Sequence, residues 1–287
     1  MIVTSFSAEG YTKYGARFIE SFLEFWKDEK LVVYVEAPIE FEHERVEFRD
    51  LFAINGMEYT LDFLKSSDML YQGKRMVNNA KMYDYRFDAY RFCRKVFAMA
   101  DIGVQQPTNE KWAWIDADVV FHAEVPEGFI DSLLPDDVFA AYLARPWLHC
   151  ETGFIAFNPA HPNHNDFMEM MKSVYASGAF KYLGEWHDCY VIDFLLAATA
   201  METVNLAEGL NVEHVFINTV LGKYCDHLKG PQRKDKGRSP QSEVVIANDT
   251  PYWKGPNRKV AGAIQNAMGT KNTIPEPALV DTPITGG

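Results

Sequence analysis

The first part of the chain alternates between short apolar runs and one amphipathic segment. Residues 1–7, MIVTSFS, and 31–36, LVVYVE, have the nearly continuous apolar pattern of strands that are covered on both faces. Between them, Phe18, Phe22 and Phe25 recur at helical spacing. Strand, helix and strand in this order predict a βαβ unit. The expected fold is therefore α/β, with a mixed, mostly parallel sheet flanked by helices and ligands bound beyond the carboxyl ends of its strands.

Later segments continue the alternation of strands and helices. Strands are predicted over residues 110–121, 137–146 and 152–159, and helices over 88–100, 165–178 and 185–200. The polar stretch 74–88 suggests a loop that leads into a helix. We expect one domain over residues 1–268. Residues 269–287 are rich in Pro, Thr and Gly and predict a mobile tail.

Charge and cysteine usage narrow the class of protein. The formal net charge is -12, which argues against a general nucleic-acid binder. Residues 223–259 carry nine Lys or Arg against four Asp or Glu, a local +5 that suits an anion or a solvated loop. The four cysteines form no C-x-x-C pair and are expected to be reduced thiols. No run of eighteen apolar residues or secretory signal pattern occurs, so we expect a cytoplasmic protein without membrane insertion.

Two carboxylates stand inside the apolar run WAWIDADVVF, residues 112–121. In a continuous strand, Asp116 and Asp118 would lie on the same face, where they repel each other and lose hydration. They therefore need a cation, a hydrogen-bond cage or the open end of a strand. Mg²⁺ and Mn²⁺ suit one or two carboxylates together with substrate phosphates. A solvated strand end remains open, as does a phosphatase of the haloacid-dehalogenase type with Asp116 as its nucleophile.

The βαβ start and the mid-chain hydrophobic D-x-D motif resemble nucleotide-sugar glycosyltransferases of the A-type fold (GT-A), over roughly residues 1 to 260. The later segments resemble the glycogenin-like and histo-blood-group-like members in particular. The resemblance implies a nucleotide-binding half at residues 1–121 and an acceptor half at 122–268. It also implies a divalent metal, Mn²⁺ or Mg²⁺, that bridges the two phosphates of the donor. It also implies that Asp116 lies near the nucleoside ribose and also contributes to the metal site, with Asp118 as the main metal ligand.

Basic and small residues on either side of the motif complete the expected donor site. Arg91 and Lys95 lie on the helix before the motif, where an acidic chain gains little from clustered cations unless an anion binds. The segment 149–158, HCETGFIAFN, resembles the strand that lines the donor sugar pocket in the family. By that resemblance Glu151 and Thr152 bond sugar hydroxyls, and Gly153 permits close approach of the backbone. A solvated helix face and an ordinary strand with a bulge remain open for these two segments.

The segment 184–196, GEWHDCYVIDFLL, places an acid at a helix start. Dipole effects alone favour such an acid. The letters WHD resemble the Trp-His-Asp-Glu segment of the histo-blood-group transferases, which makes Asp188 the expected catalytic residue. Cys189 stands where that family has Glu, so a glutamate-assisted retaining mechanism is in doubt. Whether the anomeric configuration is retained or inverted stays open.

The late segment 225–234, CDHLKGPQRK, resembles the His-x-x-Gly or His-x-Lys-Gly segment of glycogenin-like enzymes. The resemblance makes His227 the third metal ligand and Lys229 a contact to the leaving diphosphate. Gly230 and Arg233 in the same basic loop are assigned to donor binding. This placement also accounts for the local positive charge, since two phosphates must bind to an acidic protein.

The sequence thus predicts a metal-dependent glycosyltransferase that uses a nucleoside-diphosphate sugar, most often a uridine one in the family it resembles. The acceptor is open: a glycan is one candidate, and a hydroxylated DNA base is another, because residues 229–238 are basic. A phosphatase and an inactive sugar-nucleotide-binding protein also stay open as functions. Oligomeric state does not follow from the sequence.

Overall fold

A computed structural model describes residues 1–66, 69–246 and 248–254. Its strands, numbered in chain order, are β1 (Ile2–Phe6), β2 (Leu31–Val35), β3 (Val46–Asp50), β4 (Lys74–Val77), β5 (Ala80–Tyr83), β6 (Trp112–Ile115), β7 (Val119–Phe121), β8 (Ala140–Tyr142), β9 (Phe154–Phe157), β10 (Thr203–Asn205) and β11 (Cys225–His227). Its α-helices are α1 (Ala8–Gly10), α2 (Ala16–Phe25), α3 (Met57–Ser66), α4 (Ala89–Gln105), α5 (Phe129–Leu133), α6 (His164–Ala176), α7 (Asp188–Thr199), α8 (Pro231–Lys236) and α9 (Pro251–Lys254). The predicted tail, 269–287, lies outside the described residues.

Seven strands form the central sheet in the order β10-β8-β9-β6-β1-β2-β3. The pairs β1/β2, β2/β3, β1/β6 and β8/β10 are parallel, whereas β9 runs antiparallel to both β6 and β8. The predicted fold class, a mixed and mostly parallel sheet flanked by helices, is confirmed. The carboxyl ends of β1, β6 and β8 therefore meet at one edge, where a ligand site is expected.

Apolar side chains cover both faces of the sheet. Trp112 and Trp114 of β6 pack into the cluster that contains α4, α6 and α7. Ala113 and Ile115 of the same strand pack on the other side, with the phenylalanines of α2. This alternation makes β6 a rigid central strand, as its continuous apolar sequence predicts. None of the helices in the described part of the chain has the length and hydropathy that a membrane span requires.

The D-x-D segment is not one continuous strand, so that part of the prediction is wrong. Strand β6 ends at Ile115, and Asp116 to Asp118 form a turn closed by a hydrogen bond from Val119 N to Asp116 O of 3.0 Å. The next strand, β7, leaves the central sheet and pairs antiparallel with β11. Two adjacent carboxylates cost too much free energy within a buried strand, which explains why the strand ends where they begin.

The segment 74–88 is also corrected, because it contains a β-hairpin rather than only a loop. Strands β4 and β5 pair antiparallel around Asn78 and Asn79, whose φ angles are 50° and 63°. Asparagine tolerates this left-handed conformation, which a two-residue hairpin turn requires. Helix α4 follows, capped by the Asp88 side chain, and extends to Gln105, beyond the predicted end at residue 100.

Candidate active site

The turn after β6 brings both aspartates against His227 of β11. His227 Nε2 lies 3.1 Å from Asp118 Oδ1 and 3.8 Å from Asp116 Oδ2. The register of β7 with β11 fixes this arrangement, since His227 is the partner of Val119. The three residues predicted as metal ligands are therefore neighbours, although 109 residues separate Asp118 from His227 along the chain.

The remaining carboxylate oxygens are held by cations and by an indole. Asp116 Oδ1 accepts hydrogen bonds from Lys95 Nζ at 2.7 Å and from Trp114 Nε1 at 2.8 Å. Asp118 Oδ2 forms an ion pair with Lys234 Nζ at 2.9 Å. One oxygen of each aspartate is thus fixed by the protein, and the other faces His227. Such outer contacts orient metal ligands in known sites.

The donor set fits a divalent cation. The ligand atoms of Asp116, Asp118 and His227 all lie within 4.8 Å of one another. Ligands at about 2.1 Å from one ion, at right angles, are about 3 Å apart. Burial alone would raise the pKa of Asp118, but His227 and Lys234 hold it well below its usual range. The ionised form that a metal requires is therefore the stable one.

Gly153 makes room for the His227 ring. A Cβ at position 153 would lie 2.6 Å from both Cε1 and Nδ1 of the imidazole. The backbone carbonyl of Gly153 also accepts a hydrogen bond from Asp116 N at 3.0 Å. The absence of a side chain at Gly153 thus lets the histidine ring approach the backbone, while a contact of Gly153 with a donor sugar stays a prediction.

Lys95 links three elements at the centre of the site. Its ammonium group lies 2.7 Å from Asp116 Oδ1, 2.8 Å from Asp188 Oδ2 and 2.7 Å from the carbonyl oxygen of Thr152. Burial would lower the pKa of Lys95, but the two carboxylates outweigh burial and raise it. Lys95 is therefore a fixed cation that joins α4 to the D-x-D turn and to the first residue of α7.

Asp188 is buried and fully engaged. It is 4% exposed, and it accepts a hydrogen bond of 2.7 Å from Thr152 Oγ1 in addition to its ion pair with Lys95. Burial would raise the pKa of Asp188, but Lys95 holds it well below its usual range. A carboxylate with so low a pKa is a weak base. The geometry therefore favours a positioning role for Asp188, the residue predicted to be catalytic, over a role as a base.

Glu151 forms a second ionic centre beside His227. Its Oε2 atom lies 2.8 Å from Lys229 Nζ and 3.3 Å from Arg145 Nη1, and the side chain is 3% exposed. Burial opposes ionisation, but Lys229, His227 and Arg145 lower the pKa of Glu151 to about 2. Lys229 is 47% exposed, so it can exchange Glu151 for an incoming anion.

Three residues that were predicted to bind the sugar donor lie further from the carboxylates of the site. Arg233 forms a bidentate ion pair with Glu243, at 2.9 and 2.8 Å, and donates to the Lys229 carbonyl at 2.7 Å. Gly230 has a φ of 81°, which lets the chain turn from β11 into α8. Burial would lower the pKa of Arg91, but the Tyr83 hydroxyl of the β4/β5 hairpin outweighs burial and raises it. Arg233 and Gly230 thus shape the loop that carries Lys229.

Opposite charges balance across the site. Four carboxylates, Asp116, Asp118, Glu151 and Asp188, are paired with four cations, Lys95, Arg145, Lys229 and Lys234. Sequence reasoning missed Lys234 and Arg145 as site residues. Lys234 belongs to the basic run already noted, but no local pattern distinguishes Arg145. The charges of these eight side chains cancel.

A cavity of about 390 Å³ adjoins this centre at the carboxyl ends of β8 and β10. Arg145 lines it and reaches Glu151, while Trp147 stands at its rim with 77% of its surface exposed. Asn205 lines it as well, and its Oδ1 atom accepts hydrogen bonds from Ala144 N and Ala207 N, both at 3.0 Å. With Oδ1 occupied, the Asn205 amide nitrogen is the group that can donate to a ligand.

Comparison with known proteins supplies fold relatives only. The fold resembles that of solved glycosyltransferases. The galactosyltransferase LgtC, in complex with donor and acceptor sugar analogues, matches at 13% identity and a TM-score of 0.45, over 87% of each chain. Apo mouse xyloside xylosyltransferase 1 matches at 12% identity and a TM-score of 0.41, over 71% of this chain and 84% of that one. A glycosyltransferase involved in glycosylation of the major capsid of PBCV-1 matches at 13% and 0.41, over 81% and 96%.

No protein-family model and no curated protein matches the chain. Because these three structures are only 12 to 13% identical to the chain, a function for it has to be inferred from its own side chains.

Proposed function

We propose that the protein is a metal-dependent GT-A glycosyltransferase that transfers a sugar from a nucleoside-diphosphate sugar, with a uridine nucleotide as the expected donor. The observation that carries the proposal is the convergence of Asp116 Oδ2, Asp118 Oδ1 and His227 Nε2. Lysines hold the outer oxygens of both aspartates, so the inner ones remain for a cation. Oxygen ligands together with substrate phosphates are the preferred environment of Mg²⁺ and Mn²⁺.

The protein's own residues would stabilise the departing diphosphate. A divalent cation, when bound, supplies Lewis-acid stabilisation of the charge that develops on the phosphates. Lys229 exchanges its contact with Glu151 for a phosphate oxygen, because its side chain is the most exposed cation of the site. Lys95 holds Asp116 in place, and Asp188 in turn holds Lys95. Rigid placement of these charges lowers the barrier to breaking the glycosidic bond.

The two predicted halves of the chain divide these tasks in the proposal. Residues 1–121 supply the D-x-D turn and Lys95, which would face the nucleotide and the metal. Residues 122–254 supply Glu151, Lys229 and the cavity beside Trp147, which would face the sugar and the acceptor. Thr152 and Arg91 remain proposed donor-site residues, through Lys95 and through the hairpin contact to Tyr83 respectively.

A saccharide is the acceptor that the cavity supports best. An exposed indole stacks on the apolar face of a pyranose, and the Asn205 amide and Arg145 can donate to its hydroxyls. A DNA base has less support, because Arg233 and Lys234 of the basic segment 229–238 are paired with Glu243 and Asp118 rather than arranged as a surface for a phosphate backbone. A phosphatase has less support too, since Lys95 and Trp114 hold one oxygen of its proposed nucleophile, Asp116.

A thermal-shift panel of nucleotide sugars tests the proposal. UDP-glucose, UDP-galactose, UDP-N-acetylglucosamine and GDP-mannose are each added with Mn²⁺, with Mg²⁺ and with EDTA. At about 100 times its Kd, a donor should stabilise the protein by about 2.7 kcal/mol, and only in the presence of metal. If no nucleoside diphosphate produces a metal-dependent shift, the proposed function is wrong. A donor that binds but is never hydrolysed would instead indicate an inactive binding protein.

Trp147→Ala should impair transfer without impairing the donor site. Losing an aromatic anchor worth about 1.4 kcal/mol raises the KM for a saccharide acceptor about tenfold. Donor hydrolysis by water should change little, because Trp147 lines the cavity rather than the carboxylate pair. Trp147→Phe is the matched control and should retain most of the affinity. Equal acceptor KM values for the alanine variant and the unmodified protein would place the acceptor elsewhere.

A further inference from the structure

We propose that the protein has a second metal site, made of His149, Glu185 and His187, that takes a transition metal such as Zn²⁺. His149 lies between β8 and β9, and Glu185 and His187 immediately precede helix α7. The site is separate from the Asp116, Asp118 and His227 set and shares no residue with it. It does not depend on the proposed sugar transfer.

The ligand atoms of the three residues converge on one point. His187 Nε2 lies 2.8 Å from Glu185 Oε2, and His149 Nε2 lies 3.7 Å from the same oxygen. One atom from each residue lies within 4.8 Å of the other two. Ligands about 2.0–2.2 Å from a tetrahedral zinc ion are separated by about 3.4 Å. The observed spacing thus needs only small side-chain adjustments to bind the ion.

A fourth residue supports the orientation of His149. Asp193 Oδ2 lies 3.6 Å from His149 Nδ1, whereas Glu185 approaches Nε2 of the same ring. At this distance the contact is between charges and is not a hydrogen bond. A carboxylate on the Nδ1 side favours the tautomer with its proton on Nδ1, which leaves Nε2 as the ligand, the usual arrangement of metal-binding histidines. The two carboxylates thus prepare His149 to bind a cation through Nε2.

The contacts that His187 and Glu185 make with other residues do not prevent metal binding. His187 Nδ1 accepts a long hydrogen bond, 3.4 Å, from Tyr190 N, and coordination through Nε2 would move the imidazole proton to Nδ1 and break it. Arg86 approaches Glu185 at 3.8 Å but is held by two hydrogen bonds to Asp84, at 3.0 and 2.8 Å. Neither contact closes the site to an ion.

The ligand chemistry separates this site from the first one. Two imidazoles and one carboxylate suit zinc, which commonly keeps one open position for water. Two carboxylates and one imidazole suit the harder ions Mn²⁺ and Mg²⁺. His149 is 35% exposed and Glu185 is 23% exposed, so an ion can enter from solvent. Because His187 precedes Asp188, a bound metal would fix the start of α7 against the segment that leads to Glu151.

Zinc uptake by the untagged full chain tests the proposal. Asp118→Ala removes the first site, and Zn²⁺ is then titrated against a chromophoric chelator. We expect one equivalent to bind. Adding His149→Ala should lower that affinity at least tenfold, and adding His43→Ala, which changes an exposed histidine elsewhere, should not. His149 is chosen because its partly exposed side chain can be shortened without opening the core.

Co²⁺ provides a second readout that does not involve activity. In the Asp118→Ala protein it should give the intense visible absorption of a tetrahedral site, and His149→Ala should abolish that absorption. Failure of the Asp118→Ala protein to bind zinc, or binding that His149→Ala leaves unchanged, overturns the second site. A negative nucleotide-sugar panel overturns only the proposed function, so the two proposals fail separately.

Discussion

Lys95→Met is expected to lower the free energy of unfolding by about 3–5 kcal/mol. Methionine has a side chain of similar length, so the substitution removes the positive charge but little volume. Without the ammonium group, Asp116 loses one hydrogen-bond donor. The buried Asp188 loses its ion pair and keeps the hydrogen bond from Thr152 Oγ1. An uncompensated buried carboxylate costs far more than an exposed ion pair contributes. Urea unfolding followed by tryptophan fluorescence measures the change.

Two further variants separate this effect from a general loss of a lysine. Lys27→Met removes a surface pair with Glu124, in which both side chains are more than half exposed, and should change stability little. Adding Asp188→Asn to Lys95→Met should restore part of the loss, because the amide needs no counter-charge. If Lys95→Met unfolds at the same urea concentration as the unmodified protein, Lys95 is not the central cation that its contacts indicate.

The sheet and the neighbourhood of the site were predictable from local patterns. Strands β1 and β2 and the helix between them have periodicities that fit few arrangements besides a βαβ unit. Parallel strands bring their carboxyl ends to one edge, so residues that follow them meet even when they are distant in sequence. This is how Asp116, which follows β6, comes to the edge where Glu151 lies between β8 and β9, whereas His227 reaches both through the pairing of β11 with β7.

The ion pairs of the site were not predictable, because the sequence does not show which lysine or arginine lies next to each carboxylate. Several lysines and arginines could have paired with the aspartates, and sequence spacing does not distinguish Lys234 from Arg233. The structure pairs Lys234 with Asp118 and Arg233 with Glu243. The two residues are neighbours on α8, where successive side chains project about 100° apart and so reach different partners.

The apolar pattern around the D-x-D motif led to one wrong prediction. The apolar residues on both sides of the D-x-D motif predict one long strand, but the cost of burying two carboxylates ends β6 at Ile115. The apolar residues after the motif are still buried, because β7 pairs with β11 away from the central sheet. Hydrophobicity thus predicted burial correctly at Val119 to Phe121, but not the sheet that provides it.

Asp118→Ala is expected to abolish the metal-dependent stabilisation by a nucleoside-diphosphate sugar. Asp118 Oδ1 lies closer to His227 Nε2 than the Asp116 carboxylate does, at 3.1 Å, and its removal leaves the metal with one carboxylate and one imidazole. A shift of about 2.7 kcal/mol at 100 times the Kd should fall to near zero. The measurement is the thermal shift with Mn²⁺ and with EDTA, together with isothermal titration of Mn²⁺ alone.

The matched control is Asp226→Asn, which changes a buried carboxylate one residue before His227. Asp226 accepts hydrogen bonds from Ser239 N and Oγ, both at 2.7 Å, and from the Tyr252 hydroxyl at 2.8 Å, so its task is to hold β11 in place. Asp226→Asn should therefore lower the melting temperature of the protein alone but keep the metal-dependent shift. Asp118→Ala should lose the metal-dependent shift and keep the melting temperature of the protein alone. The contacts that it removes, to Lys234 and His227, belong to the metal site. An intact Mn²⁺ response in Asp118→Ala would move the metal away from the D-x-D turn and remove the observation on which the glycosyltransferase proposal depends.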